Sequence, residues 1–270
     1  MRKPTPAPDW PASWKLSYQF DLVEVFGERA DPGYTWSYRE RQRRVLEALR
    51  AAVPSGGAIL DIAAAQGNFS ITLAELGYRV TWNDLREELA GYVRLKHERG
   101  TLEFLPGNCF ELAASGAFDA VIITEIIEHV AHPDEFLAKT AALVRPGGWV
   151  FMTTPNGAYF RNPLPRFADC PDPSAYEAVQ FKPDADGHIF LLHDDEVRLL
   201  AAKAGLEVHE LRLFVNPLTR GALRTRRLLP WLPPQLVQLG ERLTASGGGR
   251  LFRRLNLHLM AVLRKPGGPA

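Results

Sequence analysis

Three side chains that can bind a metal ion or accept a proton lie within five residues of one another: Glu125, Glu128 and His129. They directly follow the apolar run FDAVIIT, which predicts a strand over 118–124. Because positions i, i+3 and i+4 share one face of a helical turn, the three side chains are expected to converge. His188, in the later run DGHIF, could complete a set of four ligands.

Two carboxylates with imidazole suit Mg²⁺ moderately, and Mn²⁺, Co²⁺, Fe²⁺ or Zn²⁺ better. The same groups can act as a general base, so Glu125 and His129 are also the candidate catalytic residues. The alternative is that Glu125 and His129 cap and orient the turn without a metal.

A second segment with functional residue types is AILDIAAAQGNFS, residues 58–70. Its apolar half predicts a buried strand containing Asp61, and a helix is predicted over 69–76. A tight turn between a strand and a helix places backbone N–H groups at the strand's carboxyl end, where open α/β sheets bind ligands. The next predicted strand ends at Asp84, about twenty residues further on, a spacing that suits a carboxylate binding a ribose diol.

Alanines occupy residues 63–65 of this turn and only Gly67 is glycine, so the turn departs from the G-x-G-x-x-G loop that binds a pyrophosphate. It resembles the first motif of the class I S-adenosylmethionine (SAM) methyltransferases, commonly D-x-G-x-G-x-G, with two of the three glycines replaced by alanine. The resemblance implies SAM as the cofactor. It implies that Asp84 binds the ribose of the cofactor. It also implies that the methionine part is surrounded by Asp61, Ala63, Ala65 and Gly67.

The same resemblance implies contacts with the adenine. Asn108 stands where the family has an acid that bonds the adenine amino group, and the amide oxygen can accept that bond. Phe110 is a candidate to cover the ring, the alternative being an ordinary core position. Cys109 and Thr124 complete the implied cofactor set. In the related ubiquinone-pathway O-methyltransferases an arginine at about the position of Arg43 contacts the cofactor's carboxylate, so Arg43 is included.

The E-x-x-E-H element over 125–129 looks like that of the ubiquinone-pathway O-methyltransferases. With His188 it is also similar to the small-RNA 2′-O-methyltransferases. In both families the resemblance implies a divalent metal bound to substrate hydroxyls.

Alternating strands and helices with tight turns predict an α/β fold, a seven-stranded doubly wound, Rossmann-like methyltransferase sheet with a lid insertion. The predicted strands are 58–62, 78–82, 101–105, 118–124, 149–154, 206–214 and 255–263. The predicted helices are 14–26, 38–53, 69–76, 85–98, 133–144 and 194–204. The predicted divisions are an N-terminal arm with a helix over 1–35, a methyltransferase domain over 36–264 with insertions at 155–187 and 216–254, and a tail over 265–270. Four prolines in residues 1–13 predict a loose arm.

The two insertions differ in composition. Residues 155–187 are long, proline-rich and aromatic, which favours a lid over the substrate, with a passive surface loop as the alternative. Its aromatic residues are Tyr159, Phe160, Phe167, Tyr176 and Phe181. In the second insertion, Leu236, Leu239 and Leu243 share a helical face. Between Arg212 and Lys265 there are eleven Lys or Arg residues and one acid, Glu241.

This basic, apolar composition over 220–254 favours contact with an anionic or amphipathic partner, such as a membrane surface. A solvated basic lid is the alternative. The 270 residues contain no apolar run long enough to span a bilayer and no signal-peptide pattern, so a cytoplasmic protein is expected, with peripheral contact to the inner face of the membrane through 220–254. Cys109 and Cys170 show no metal or disulfide spacing and are expected to be free thiols.

Taken together, the sequence predicts a SAM-dependent methyltransferase that methylates a hydroxyl of a small-molecule or lipid-linked acceptor with a divalent metal. RNA 2′-O-methylation is an alternative that the basic C-terminal segment favours, although no base-stacking aromatic motif accompanies it, so nucleic acid is the less favoured partner. A non-catalytic SAM-binding protein is a second alternative, because the motif is altered. A nicotinamide dehydrogenase ranks last.

Overall fold

The computed structural model describes residues 1–28, 31–180, 187–221, 225–246 and 249–267. The strands are β1 (Ala58–Ile62), β2 (Arg79–Trp82), β3 (Thr101–Phe104), β4 (Phe118–Thr124), β5 (Val144–Pro155), β6 (Glu207–Phe214) and β7 (His258–Arg264). The α-helices are α1 (Ala12–Glu24), α2 (Pro32–Ala52), α3 (Asn68–Glu75), α4 (Leu89–Lys96), α5 (Cys109–Leu112), α6 (Pro133–Leu143), α7 (Asp194–Lys203), α8 (Pro234–Ser246) and α9 (Arg250–Leu255).

The strands form one sheet in the order β3-β2-β1-β4-β5-β7-β6. The first five strands in this order are parallel, and β7 runs antiparallel to both β5 and β6. Strand order reverses between β1 and β4, so the carboxyl ends of these two strands flank the crevice in which doubly wound sheets bind ligands. The seven predicted strands and the predicted fold class are confirmed.

Alternate residues of the central strands enter two separate apolar layers. Ile59 and Ile122 face α2 and α3, where Leu49 and Leu73 pack against them. Residues of the other parity, such as Val121, face α6 and α7. Both faces of the sheet are therefore covered, which explains why its strands are apolar almost throughout.

The helices begin where their capping residues place them rather than where their apolar stripe begins. Helix α2 starts six residues before the predicted Tyr38, because Asp31 caps it by accepting a hydrogen bond from the Tyr34 N–H and Pro32 occupies its first turn.

The expected helical turn over 125–129 is only a short 3₁₀ turn, Ile127–His129. Among the described residues, no helix is both long and apolar enough to span a bilayer.

The expectation of a loose N-terminal arm is wrong. The backbone N–H of Arg2 donates to the Lys96 carbonyl at 2.9 Å, and the terminal amine of Met1 pairs with Glu75 and Glu98. Trp10 is buried, with its ring edge-on to Tyr92 at 5.8 Å. The prolines shape this segment, but its contacts with α4 hold it on the domain.

A fully buried ion pair joins α1 to α4. Lys96 Nζ lies 2.6 Å from Asp21 Oδ2, and neither side chain is exposed to solvent. The same ammonium donates to the Gln66 carbonyl at 2.8 Å and to Asn68 Oδ1 at 2.5 Å. Tyr92 donates to Asp21 as well. These contacts connect the N-terminal helix, α4 and the loop after β1 in one polar network inside the protein.

Replacing Lys96 with methionine should lower the free energy of unfolding by about 3–5 kcal/mol, because the Asp21 carboxylate would stay buried without its cation. Urea titration measures this change. Lys139→Met is the matched control, since Lys139 pairs with Glu135 on the solvent-exposed face of α6 and should change stability by about 0.5 kcal/mol or less. Equal effects of the two substitutions would contradict a stabilising function of the buried pair.

Candidate functional site

The loop after β1 adopts left-handed backbone at each position where the related motif has glycine. The φ angles are 50° at Ala63, 47° at Ala65 and 71° at Gly67. Alanine in this region costs about 1–2 kcal/mol, so the loop is strained at two residues. At Gly67 a side chain would also meet Val93, whose Cγ1 lies 2.8 Å from the position of an added Cβ. Glycine is therefore required there for space as well as for φ.

The Asp84 carboxylate lies directly beneath this loop. Its Oδ2 accepts a hydrogen bond from the Ala65 N–H at 2.9 Å, and Arg86 contacts both carboxylate oxygens. The preceding Asn83 donates to the carbonyls of Leu105 and Gly107. Asp84 is thus buried and oriented, with a basic residue beside it that can move when a ligand competes for its oxygens.

Two cavities open along the carboxyl edge of the sheet and share Ala63. The larger has a volume of 430 Å³ and runs past Asn83 toward α6. The smaller has a volume of 120 Å³ and lies between the loop, α1 and α2. Thr124, at the end of β4, lines the smaller cavity. An elongated ligand that spans both cavities would therefore pass over the switch point of the sheet.

Residues after β3 form one wall of the larger cavity. Asn108 caps α5 by accepting a hydrogen bond from the Phe110 N–H at 3.2 Å, and Phe110 packs edge-on against Phe136 with ring centroids 5.4 Å apart. Cys109 is buried beside them, and burial raises the pKa of its thiol to about 12. Both cysteines of the chain are free. This wall supplies apolar surface and an amide rather than a reactive thiol.

The structure does not bring Arg43, the predicted cofactor arginine, to either of these cavities. Arg43 pairs with Glu40 and Glu47 and lines a separate 610 Å³ cavity with Arg44. Arg41 instead lines the smaller cavity, with its guanidinium over the Tyr38 ring at 5.2 Å. Residues two positions apart on a helix are rotated by about 200°, so Arg41 and Arg43 point to opposite faces of α2.

Glu125 has φ of 55°, an unusual backbone conformation for a residue with a side chain. This directs its carboxylate into the smaller cavity, 3.2 Å from Arg41 Nη1 and 3.2 Å from His258 Nδ1, with Thr153 donating to the other oxygen. Burial alone would raise the pKa of Glu125, but Arg41 and His258 outweigh burial and hold it well below its usual range. Glu125 is therefore ionised.

A candidate metal cluster lies on the other side of the turn. Among the described residues, Glu128, His129 and His188 each present one ligand atom, and these atoms lie within 4.8 Å of one another. The two imidazole rings pack edge to face at 4.9 Å. The Ile189 N–H donates to the Glu128 carbonyl at 2.7 Å, which holds the segment of His188 against the turn.

The expected four-ligand set is thus corrected to three, because the left-handed backbone of Glu125 turns its carboxylate away from the other ligands. Glu128 is fully buried; its Oε2 accepts a hydrogen bond from Thr154, and its Oε1 has no hydrogen-bond partner in the described part of the chain. Burial, reinforced by the neighbouring Glu125 carboxylate, raises the pKa of Glu128 well above its ordinary value. A buried acid with an unused oxygen beside two imidazoles is a suitable divalent-cation ligand.

Sequence reasoning missed Arg41, Glu24 and His258. Arg41 had a detectable signal, since Tyr34, Tyr38 and Arg41 follow one another at helical spacing. Glu24 and His258 had none, because they come from the end of the N-terminal helix and the first residue of β7, far from both motifs. The predicted Phe181 lies outside the described residues.

Residues 36–211 match a family model described as a methyltransferase domain. The ubiquinone biosynthesis O-methyltransferase of Aromatoleum aromaticum is 34% identical over 188 residues, which cover 63% of this chain and 73% of that protein. Among solved structures, the cyclase SpnF matches with a TM-score of 0.58 at 15% identity, covering 98% of this chain and 100% of that chain. A SAM-dependent methyltransferase from Mesorhizobium loti matches with a TM-score of 0.54 at 16% identity, covering 81% and 96%.

The chain belongs to the methyltransferase domain family, within the class I SAM-dependent methyltransferases. It is a SAM-dependent methyltransferase, and SAM is its cofactor. The geometry fits this cofactor, because the loop is left-handed at each position where the related motif has glycine, and the two cavities that meet at Ala63 combine a polar, charged end with an apolar end.

The buried Asp61 predicts a pH dependence of stability. Burial raises its pKa to about 7 against the opposing hydrogen bond from Ser70, and Asp84 adds to the increase. An acid whose folded pKa exceeds its unfolded value stabilises the fold below the unfolded pKa of about 4, and this stabilisation is lost as the pH rises through 7.

The unfolding free energy of the wild type should therefore fall by about 3–4 kcal/mol relative to Asp61→Asn between pH 4 and pH 8, as measured by urea titration. Asp119→Asn is the control. Hydrogen bonds and the Arg145 cation lower the pKa of Asp119 despite partial burial, so its contribution changes only below pH 4. Parallel stability curves for wild type and Asp61→Asn would contradict the shifted pKa.

Proposed function

We propose that the chain transfers the methyl group of SAM to a hydroxyl of a small-molecule or lipid-linked acceptor, with a divalent metal assisting. The observation that supports this most is the cluster of Glu128, His129 and His188 directly after β4, beside the cofactor edge of the sheet. The relative from Aromatoleum aromaticum is named as an O-methyltransferase of ubiquinone biosynthesis, which supports an oxygen acceptor.

We assign the two cavities to the two ends of the cofactor. The larger cavity, with Asn108, Cys109 and Phe110 in its wall, would hold the adenine. The smaller cavity, with Asp61, Ala63, Ala65 and Thr124, would hold the methionine part. Asp84, which lies under the loop and lines neither cavity, would bind the ribose after releasing Arg86. Arg41, rather than the predicted Arg43, would be the cation facing the cofactor's carboxylate, because it lines the smaller cavity.

When bound, SAM supplies a methyl group on a positively charged sulfur, and an aligned oxygen that attacks this methyl carbon can displace the sulfur. In the proposed reaction the C–O bond to the acceptor oxygen forms as the C–S bond breaks, the hydroxyl proton passes to solvent, and the sulfur leaves as neutral S-adenosylhomocysteine. The protein needs no nucleophile of its own and chiefly aligns the acceptor. Arg41 and His258 keep Glu125 ionised at the edge of the cofactor cavity, on the opposite side of the turn from the metal cluster.

Glu128, His129 and His188 would hold the metal, which would act as a Lewis acid on the acceptor hydroxyl. Without Glu125 the ligand set has two imidazoles and one carboxylate, and this composition favours Mn²⁺, Fe²⁺, Co²⁺ or Zn²⁺ over Mg²⁺ more strongly than the four-ligand set did. Thr154 orients Glu128, and the backbone bond from Ile189 positions His188.

The described part of the 155–187 insertion supports its proposed function as a lid. Glu177 and Gln180 line the larger cavity, and Glu177 lies 2.8 Å from His132 Nε2. The Gln180 side chain accepts a hydrogen bond from the Ala131 N–H. Two residues of the insertion therefore line the cavity proposed for the adenine, so a lid formed by this segment would cover the cofactor as well.

Turnover on a soluble catechol should require the metal cluster. His129→Ala and Glu128→Gln should each lower the rate by about two orders of magnitude or more while leaving the affinity for SAM within about twofold, because the cofactor contacts lie elsewhere. Mass spectrometry of the methylated product, calorimetric titration of SAM and elemental analysis of the protein provide the measurements. Full activity in the metal-free protein would overturn the metal assignment.

His97→Ala is the matched control, because His97 is a half-buried histidine outside the metal cluster and both cavities, and its ring contacts the Arg99 carbonyl. It should retain full turnover and metal content. Retention of full activity by His129→Ala would overturn the proposed catalytic site as a whole, since the cluster would then have no function in the reaction.

We propose that the second insertion lies on a membrane surface. Helix α8 buries Val237 and Glu241, and its opposite face exposes three leucines. Together with two residues before the helix, this apolar surface comprises Leu228, Trp231, Leu236, Leu239 and Leu243, with Trp231 85% exposed. Arg227, Arg253 and Arg254 are exposed in the same insertion. An exposed apolar face with basic residues is typical of helices that bind anionic lipid surfaces.

The wild-type protein should float with vesicles containing anionic lipid, and the triple substitution of Leu236, Leu239 and Leu243 by serine should leave it in the aqueous fraction. Leu199→Ser on α7 is the control, because Leu199 is 53% exposed but lies outside the insertion. Wild-type protein that stays wholly in the aqueous fraction would contradict the membrane proposal. Full methylation of soluble catechols by that protein would then support a lid function for the insertion.

A further inference from the structure

The last residue of α1, Glu24, lines the smaller cavity. It lies outside the matched family region, which begins at residue 36. The residue is only 5% exposed, and its carboxylate accepts hydrogen bonds from Tyr34 at 2.6 Å and from Gln66 at 2.8 Å. Burial raises its pKa, although these hydrogen bonds and the Arg41 charge act in the opposite direction. No cation is within salt-bridge distance of Glu24 in the described residues.

Arg41 lines the same cavity. Its Nη1 lies 3.2 Å from Glu125 Oε2, while its Nε is buried and has no hydrogen-bond partner in the part of the chain that is described. The cavity thus contains a carboxylate, Glu24, that pairs with no cation in the described residues, and an N–H group, Arg41 Nε, that has no acceptor there. A buried carboxylate gains most from a cation that arrives with a ligand, and a buried N–H gains most from an arriving anion.

The charges that line the cavity are one cation, Arg41, and three acids, Glu24, Asp61 and Glu125. Glu125 already pairs with Arg41 and His258, whereas the other two acids accept hydrogen bonds only from neutral groups: Asp61 from Ser70, and Glu24 from Tyr34, Gln66 and Asn68. Asp61 is 1% exposed and Glu24 is 5% exposed, so Glu24 is the more accessible of the two acids that lack a cation in the described residues. An α-amino acid group, with an ammonium and a carboxylate on one carbon, matches Glu24 and Arg41 together.

We infer that Glu24 binds the α-ammonium group of the cofactor, so that the N-terminal helix supplies a cofactor-binding residue. This rests on the proposed assignment of the smaller cavity to the methionine part of SAM. Asp21 lies on the same helix, three residues before Glu24. Its buried ion pair with Lys96 fixes the position of the helix. Gln66 connects Glu24 to the loop after β1, which places the carboxylate at the loop rather than in solvent.

The test is calorimetric titration of the full chain with three ligands: S-adenosylhomocysteine, its analogue in which hydrogen replaces the α-amino group, and 5′-methylthioadenosine, which lacks the whole amino acid group. Glu24→Gln should weaken S-adenosylhomocysteine about ten- to hundredfold, because a charge-assisted bond becomes a neutral one. It should change the other two affinities by less than about threefold.

Two further substitutions sharpen the comparison. Arg41→Met should weaken both ligands that contain the carboxylate and leave 5′-methylthioadenosine unchanged. Glu28→Gln is the matched control, because Glu28 is an exposed acid four residues further on that pairs with Lys3. It should leave all three affinities unchanged.

Equal weakening of all three ligands by Glu24→Gln would mean that Glu24 only holds the loop, and this would overturn the inference. The wild type alone also tests it: equal affinity for S-adenosylhomocysteine and its deamino analogue would overturn it even if the variant failed to fold. Wild-type protein that binds none of the three ligands would instead overturn the proposed cofactor site. The two failures are therefore distinguishable.

Discussion

The loop between β1 and α3 is held by the buried ammonium group of Lys96, and the remaining geometry of the site depends on this contact. The loop contains two alanines in left-handed backbone, each of which opposes folding by about 1–2 kcal/mol. Lys96 offsets this strain by donating to the Gln66 carbonyl in the loop and to the side chain of Asn68, the first residue of α3. The cation is itself stable in the interior only because Asp21 lies 2.6 Å away. The N-terminal helix is thus a structural requirement of the cofactor loop.

Two other strained residues direct side chains at the same edge of the sheet. Glu125 and Val215 have φ of 55° and 62°, and a β-branched residue such as Val215 is rare in this region. Each is held by the hydrogen bonds of its own N–H: Glu125 donates to the Thr153 carbonyl, and Val215 donates to Glu241 on α8. At Glu125 this strained backbone separates the side chain that lines the smaller cavity from the cluster of Glu128 and His129.

The extent of sequence prediction follows the same physical division. Strands buried on both faces are apolar runs, so the central strands could be located, and β4 was predicted at its observed bounds. The candidate ligands Glu128 and His129 could also be found, because neighbours in the sequence remain close in space in any fold. The conformation of Glu125 could not, since its N–H is held by the Thr153 carbonyl and its carboxylate by Arg41 and His258, all of which are far from it in the sequence. The domain boundaries at 36 and 264 stay a prediction.

The two insertions meet at one edge of the sheet. The second insertion leaves the sheet after Phe214 and returns at His258, which pairs with Pro155 at the start of the first insertion. Asn156 donates to the Arg253 carbonyl, so the two insertions touch directly. Both therefore lie at the edge where Glu125 and the candidate metal cluster are found, while the core of strands and helices lies behind them. Because loops on a rigid sheet can vary without disturbing the core, substrate preference is expected to reside in these two segments, and cofactor geometry in the loop that Lys96 holds.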